Sequence, residues 1–388
     1  MKKHRVLTQF TMLLLAASFI GMLCGFRLPA AACKTDWPDW NHFKKTFINE
    51  GGRVIDLGAP NHHTTSEGQA YALFFALAAN DADSFKLILQ WTENNLAQGD
   101  LTAHLPAWEW GKRNDDSWGV LDDNSASDAD LWLAYTLGEA GRLWSNQRYA
   151  SLAVLIANRI VREETADIPG LGATLLPGRA GFHPDENIWR LNPSYLPPPL
   201  LKRFAVTMPQ SRWQELLATS RRILLQTTRG FSPDWLLFRT PDGFAPDQQT
   251  AGIGGYDAIR VYLWAGLMPA SDPFSTQLLE KLAGMKQYTE THGVPPERVD
   301  TVTGVAENTG STGFSAALLA FLQVSGAPNA VTEQKHRIAA LPFAENSNAY
   351  YDQALSLFGL GGYEQRFQFG DDGSLTTAWS KTKACKAP

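Results

Sequence analysis

Three acidic residues stand where a carboxylate could do chemistry. Glu67 lies in Thr64-Thr65-Ser66-Glu67-Gly68-Gln69, Asp128 in Ala126-Ser127-Asp128-Ala129-Asp130, and Asp257 in Gly255-Tyr256-Asp257-Ala258-Ile259-Arg260. Apolar sequence follows closely: Leu73, Phe74, Phe75 and Leu77 after Glu67, and Leu131, Trp132 and Leu133 after Asp128. Alone, each reads as an ordinary first-turn acid, drawn to the positive end of a helix dipole beside a capping serine such as Ser66 or Ser127. Together, in a chain rich in Trp and Tyr, they suit glycosidic hydrolysis. That reaction needs one protonated acid for the leaving oxygen and one carboxylate to activate water or attack carbon. Candidate platforms for pyranose rings are Trp108, Trp110, Trp118, Trp189, Tyr195 and Trp235, while Asn192, Tyr256, Arg260 and Tyr350 complete the expected substrate-binding set. Trp132 and Trp264 fall inside helical pattern and are assigned to the core. Arg260 stands three residues after Asp257, on the same helix face, and should keep that acid ionised. Glu67 must instead hold a proton, so burial and repulsion from Asp128 are expected to outweigh the dipole.

The elements that would position these groups are helices. Helical periodicity runs near 37–48, 66–79, 82–96, 128–141, 145–162, 195–206, 209–228, 256–266, 272–287, 312–324, 328–339 and 347–360. Gly51-Gly52, Pro197-Pro198-Pro199, Gly252-Ile253-Gly254-Gly255, Pro295-Pro296 and Pro328 break the pattern between them. Twelve helices can pair as six hairpins in a closed ring, an all-α (α/α)6 barrel with odd-numbered helices in one layer and even-numbered helices in the other. Glu67, Asp128 and Asp257 open the second, fourth and eighth helices. All three therefore meet at one mouth, joined by Tyr195 before the sixth helix and by Tyr350-Tyr351 at the twelfth. Long irregular stretches at 98–127, 164–194 and 229–255 would line that end, with short strands such as 107–111 and 117–121.

Composition excludes several alternatives. The chain has 388 residues, 44% hydrophobic and 11% aromatic, with a net charge of −5. It is too apolar for a disordered or collagen-like chain and not basic enough for nucleic acid. Lys2, Lys3 and Arg5, an apolar stretch from Phe10 to Leu23 and Ala30-Ala31-Ala32 make residues 1–32 a secretory signal peptide by pattern. Its removal takes four cations (with Arg27) and no acid, moving the net charge from −5 to −9. The rest, 33–388, is expected to form one catalytic domain, periplasmic or secreted, with no further membrane segment. Cys24 leaves with the signal, and Cys33 and Cys385 remain as a candidate disulfide joining the ends. There is no G-x-G-x-x-G, Walker loop, H-E-x-x-H or G-x-S-x-G, and His62-His63 has no partner spacing. No metal or organic cofactor is expected.

The stretch Ala126-Ser127-Asp128-Ala129-Asp130-x-x-Leu133-Ala134-x-Thr136-Leu137-Gly138-x-Ala140-x-x-x-Trp144 resembles the signature of glycoside hydrolase family 8, with Leu133 and Thr136 as slight departures. The likeness extends through Thr65-Ser66-Glu67-Gly68-Gln69, Asn192-Pro193-Ser194-Tyr195, Phe231-Ser232-Pro233-Asp234-Trp235 and Tyr256-Asp257-Ala258-Ile259-Arg260-Val261-Tyr262. It implies an (α/α)6 barrel and inverting endo-hydrolysis of β-1,4-glucan. By motif, Glu67 resembles the general acid, Asp257 the base, and Asp128 the signature aspartate, here expected to position the sugar. An inverting acid–base pair stands roughly 6.5–9.5 Å apart to admit water. The resemblance is strongest to members serving bacterial cellulose production, which implies β-1,4-glucan chains as partner and possible contact with the synthase or secretion machinery. Xylan or chitosan cleavage, a noncatalytic glucan-binding secretion factor and a polysaccharide lyase are the alternatives. An acid–base set argues against the binding factor, and acidic motif loops argue against a uronate lyase.

Overall fold

A computed structural model describes residues 36–59, 61–341 and 350–381. The signal segment 1–32 and both Cys33 and Cys385 lie outside the described residues.

Six helices form an inner ring: α2 (Ser66–Ala78), α4 (Ser127–Leu143), α6 (Pro198–Thr207), α8 (Ile259–Leu267), α11 (Thr312–Val324) and α13 (Tyr350–Tyr363). Each packs on the next, and Phe358 of α13 closes the ring against Tyr71 and Phe75 of α2 at 5.2 and 4.6 Å between ring centroids. Such helices are apolar all round because both faces are covered. Every residue of α2 except Glu67 is buried. The outer layer comprises α1 (Pro38–Phe47), α3 (Ala82–Leu96), α5 (Gln147–Glu163), α7 (Trp213–Leu224), α9 (Pro273–Lys281), α10 (Ala283–His292) and α12 (Pro328–Ala340). These are one-sided: α5 buries Leu152, Ala153, Ile156, Ala157 and Ile160 and gives its other face to solvent. The arrangement is the expected (α/α)6 barrel, with the expected even-numbered helices inside when α9 and α10 count as one outer arm.

Its axis is filled. Trp132 of α4 lies 4.8 Å from Phe74, 5.2 Å from Trp264 and 5.0 Å from Phe358. This places Trp132 and Trp264 in the core, as expected. A hairpin of two strands, Phe367–Phe369 and Leu375–Thr377, seals the far end. Phe367 packs 4.8 Å from Phe74, Tyr135 donates to the Gly373 carbonyl, and Trp379 Nε1 donates to the carbonyl of Leu77 at the end of α2. No helix among the described residues is long and apolar enough to cross a membrane.

Several boundaries depart from the periodicity, and the seventh helix, expected over 209–228, spans only Trp213–Leu224. The pattern over 272–287 reads as one helix, yet the chain breaks at Leu282, because Gly284 packs against the Arg229-Gly230 backbone, 2.4 Å from an added Cβ to Arg229 O. The sixth helix starts at Pro198, not 195. A 3-10 turn at Pro193–Tyr195, capped by the Asn192 side chain, comes first, and the residue before a proline resists helical backbone. The eighth begins at Ile259, leaving Asp257 in the preceding turn.

The inner helices touch backbone to backbone at glycines. A Cβ on Gly359 of α13 would sit 2.0 Å from Ala316 O of α11. Gly359→Ala should therefore destabilise the fold by about 3 kcal/mol, read as a lower urea midpoint. Gly138→Ala, whose Cβ would meet only Ala153 Cβ at 3.6 Å, should be neutral or stabilising.

Candidate active site

The mouth of the ring is built from helix starts and the strands that hold them. β1 (Thr64–Thr65) runs into α2 and pairs with β2 (Glu109–Lys112), which pairs with β3 (Trp118–Asp122). The Trp108 carbonyl accepts from Ser66 N, and Thr65 Oγ1 accepts from Gly68 N, so the first turn of α2 is satisfied and Glu67 is fixed. Gly68 is required here: a Cβ would lie 2.3 Å from the Tyr350 hydroxyl. His63, just before β1, bonds Glu109 and lies 3.7 Å from Asp56, tying this edge to its loop, while His62 is exposed.

Glu67, Asp257, Arg260, Tyr71, Tyr256, Tyr350 and Tyr351 line a cleft of about 380 Å³. Burial is the main force on Glu67 and repulsion from Asp128 the second; together they push its carboxyl up to about 8 despite Arg260 and the helix start. Asp128 is 1% exposed and accepts from Ala129 N at 2.8 Å and Tyr71 OH at 3.3 Å. Burial raises it to about 6, with Arg260 the chief opposing influence. Arg260 Nη2 donates to Asp257 Oδ1 at 2.9 Å and to Ser194 Oγ at 2.8 Å, and stands 3.8 Å from Asp128 Oδ2. The Asp257 side chain is 29% exposed, open to water. One cation thus serves two carboxylates while the third keeps its proton.

Several predicted binding residues stand apart from open cleft. Trp108 and Tyr256 are exposed, at 37% and 49%. Tyr195 and Tyr350 are half-buried, the former under the Arg260 guanidinium, 5.5 Å from its ring centroid. Trp110 stacks under Trp118 at 5.4 Å, and Arg53 covers both rings, so Trp118, 49% exposed, presents the outer face. Trp189 departs from the platform expectation: it is buried and stacked on His183 at 4.5 Å. Trp235 is occupied by protein, with Arg190 4.0 Å from its ring centroid and Phe182 parallel to it at 5.9 Å. Asn192 is buried too, its Oδ1 accepting from Ser194 N and Oγ. It steadies the hydroxyl that receives Arg260 rather than facing a ligand.

Asp234 is a residue the spacing did not single out. Its Oδ1 accepts from the backbone N–H of Gly255, Asp257 and Ala258 at 2.8, 3.1 and 2.7 Å. Burial and the nearby Asp257 raise its carboxyl to about 6. Tyr71 was legible in principle, four residues after Glu67 on one helix face. Asp234→Ala should lower kcat on the order of 10²-fold by loosening the Asp257 turn, whereas Asp234→Asn, which keeps an acceptor oxygen, should retain most of it. Steady-state kinetics of both variants make the comparison.

Known proteins match this chain along most of its length. The model of glycosyl hydrolases family 8 matches residues 14–366. An endoglucanase of Salmonella typhi is 49% identical over 352 residues, 90% of this chain and 93% of that protein. An endoglucanase of Escherichia coli (strain K12) is 48% identical over 372 residues, 96% of each. The crystal structure of an endo-1,4-D-glucanase from Vibrio fischeri ES114 superposes with a TM-score of 0.85 at 47% identity, covering 89% of this chain and 99% of that one.

Proposed function

The chain belongs to glycosyl hydrolases family 8, and on that premise we propose how its cleft performs the endoglucanase reaction. The enzyme is an inverting endo-1,4-β-glucanase that cuts within cellulose chains. Glu67 acts as general acid, Asp257 as general base, and Asp128 positions the sugar at the point of cleavage. The observation that carries this is the unequal treatment of the acids by one environment. Glu67 is held protonated by burial and by Asp128, while Arg260 bonds the water-accessible Asp257 directly.

Asp257 takes a proton from a water, whose oxygen attacks the anomeric carbon from the face opposite the leaving group. The carbon–oxygen bond to the next glucose breaks as Glu67 gives its proton to that oxygen. The β-linkage becomes an α-hemiacetal in one displacement, with no covalent enzyme intermediate. Asp128, fixed by Tyr71 and the Ala129 N–H, offers its acceptor oxygens to the sugar hydroxyls. Trp108, Trp118 and Tyr256 carry further pyranose rings on their exposed faces. Export across the inner membrane by the 1–32 signal and service in bacterial cellulose production complete the proposal.

Carboxymethyl cellulose, xylan and chitosan, each followed by proton NMR of the new end, test it. An α-anomer appearing first on the glucan is the expected result. A β-anomer would overturn the mechanism, and faster turnover of xylan or chitosan would overturn the substrate. Glu67→Gln and Asp257→Asn should each lower kcat on the order of 10²–10⁴-fold with folding intact. Glu67→Gln should lose far less on a β-cellobiosyl fluoride, whose leaving group needs no proton. The alkaline limb of kcat/KM should fall near pH 8, because Glu67 is competent only while protonated and is raised to about 8. Burying that carboxyl also costs the fold stability: with its folded value raised above the unfolded one, stability falls as pH climbs from the ordinary carboxyl range toward 8. Glu67→Gln should therefore melt higher than the parent at neutral pH.

A further inference from the structure

Beneath the cleft lies a second carboxyl pair that the reaction does not use. Asp130 follows Asp128 by two positions on α4, so its side chain points about 200° away, toward α5 and β4 (Thr165–Ile168). It is 0% exposed, and neither of its oxygens receives a hydrogen bond from the described residues. Glu164, just past the end of α5, is equally buried. Its Oε1 accepts from Ser125 Oγ at 2.5 Å, while its Oε2 has no donor. The two carboxyls face each other.

The charges acting most strongly on the pair are all acids: Glu67 of α2 and Asp128 of α4 on Asp130, and Asp128 and Glu163 of α5 on Glu164. Two ionised carboxylates there would repel each other and leave three buried oxygens without a donor, which interiors rarely tolerate. One proton between them removes the repulsion and pairs two of the three oxygens, making one carboxyl a donor and the other its acceptor. The position matters because the cap residue of α4, Ala126, has no side chain to cap it. Ser125, adjacent to that cap, also accepts from Arg179 N at 3.2 Å. The pair therefore ties the first turn of α4 to the end of α5 and to the 177–180 loop.

We propose that Asp130 and Glu164 share one proton, and that this protonated bridge is a positioning device holding Asp128 at the cleft. The proposal rests on the reading of Asp128 as part of the catalytic set. Burial and acidic neighbours push both carboxyls upward, Glu164 to about 8, so above that range the pair holds a single proton. The proton belongs to the pair rather than to either residue.

Infrared spectroscopy near pH 9, above the range to which Glu164 is raised, in a Glu67→Gln background, where the proposed general acid contributes no carboxylic proton, reads the bridge directly. A protonated-carboxyl C=O band is expected and should disappear in Asp130→Asn, where the amide N–H replaces the shared proton and Glu164 ionises. No such band in the parent, or an unchanged band in Asp130→Asn, would overturn the proposal. In the otherwise unaltered enzyme, Asp130→Asn should keep kcat within about threefold. Asp130→Ala, which strands Glu164, should lower it on the order of 10²-fold at similar KM. Equal losses in both would mean that charge, not a proton, is needed, and would also overturn it. Should Asp130→Ala fail to fold, the infrared result on Asp130→Asn still decides. Full activity in Asp128→Asn would sink the catalytic reading of Asp128 while leaving the band and its loss intact.

Discussion

The site depends on one buried guanidinium. Arg260 is 7% exposed and spends a single nitrogen on Asp257, Ser194 and the approach of Asp128. Without it, the mouth would hold three acids with little but helix starts to offset their charge, and burial would push Glu67 and Asp128 further toward the neutral acid. With it, Asp257 is bonded directly while still reachable by water, and the rise that burial forces on Asp128 is opposed. Glu67, farther from the cation's direct bonds, remains an acid. The difference in role follows from distance to one positive charge.

That cation must itself be held still, and much of the mouth serves this end. Asn192 fixes Ser194, Ser194 takes Arg260, and Trp264 Nε1 donates to the Ser194 carbonyl from within α8. Asp234 gathers three N–H groups of the turn that carries Asp257. These bonds hold the guanidinium in one place, although Asn192 Nδ2 and Arg260 Nε find no partner among the described residues. The β1–β2–β3 sheet does for Glu67 what Asp234 does for Asp257, through the Trp108 carbonyl and the Thr65 cap.

The helices and their layer were legible because burial on all sides leaves a plain trace. The stretches 82–96 and 312–324 begin and end where the apolar pattern does. The meeting of three acids followed from the parity of their helices alone. The same logic found Arg260 from a three-residue spacing. It could not find Asp234, whose partners lie more than twenty residues away in an aperiodic loop, nor the break at Leu282, which a distant glycine pair imposes. Trp189 and Trp235 look like any exposed tryptophan in a polar loop. Their partners, His183, Phe182 and Arg190, come from loop contacts without periodicity. Asn192 reads as a ligand group because its role as a cap is settled by a turn only three residues long.

The seal at the far end also governs how the ring comes to exist. Trp379 bonds Leu77 across 302 positions of chain, and Tyr135 reaches Gly373 across 238. Closing loops of that length is entropically expensive and slow, and local helix formation gives it little help. Until the 367–377 hairpin docks, Phe74 and the end of α2 lack part of their cover, and a half-built ring presents apolar surface to any neighbouring chain. A chain made from its N-terminus withholds this closing piece until the six inner helices have emerged.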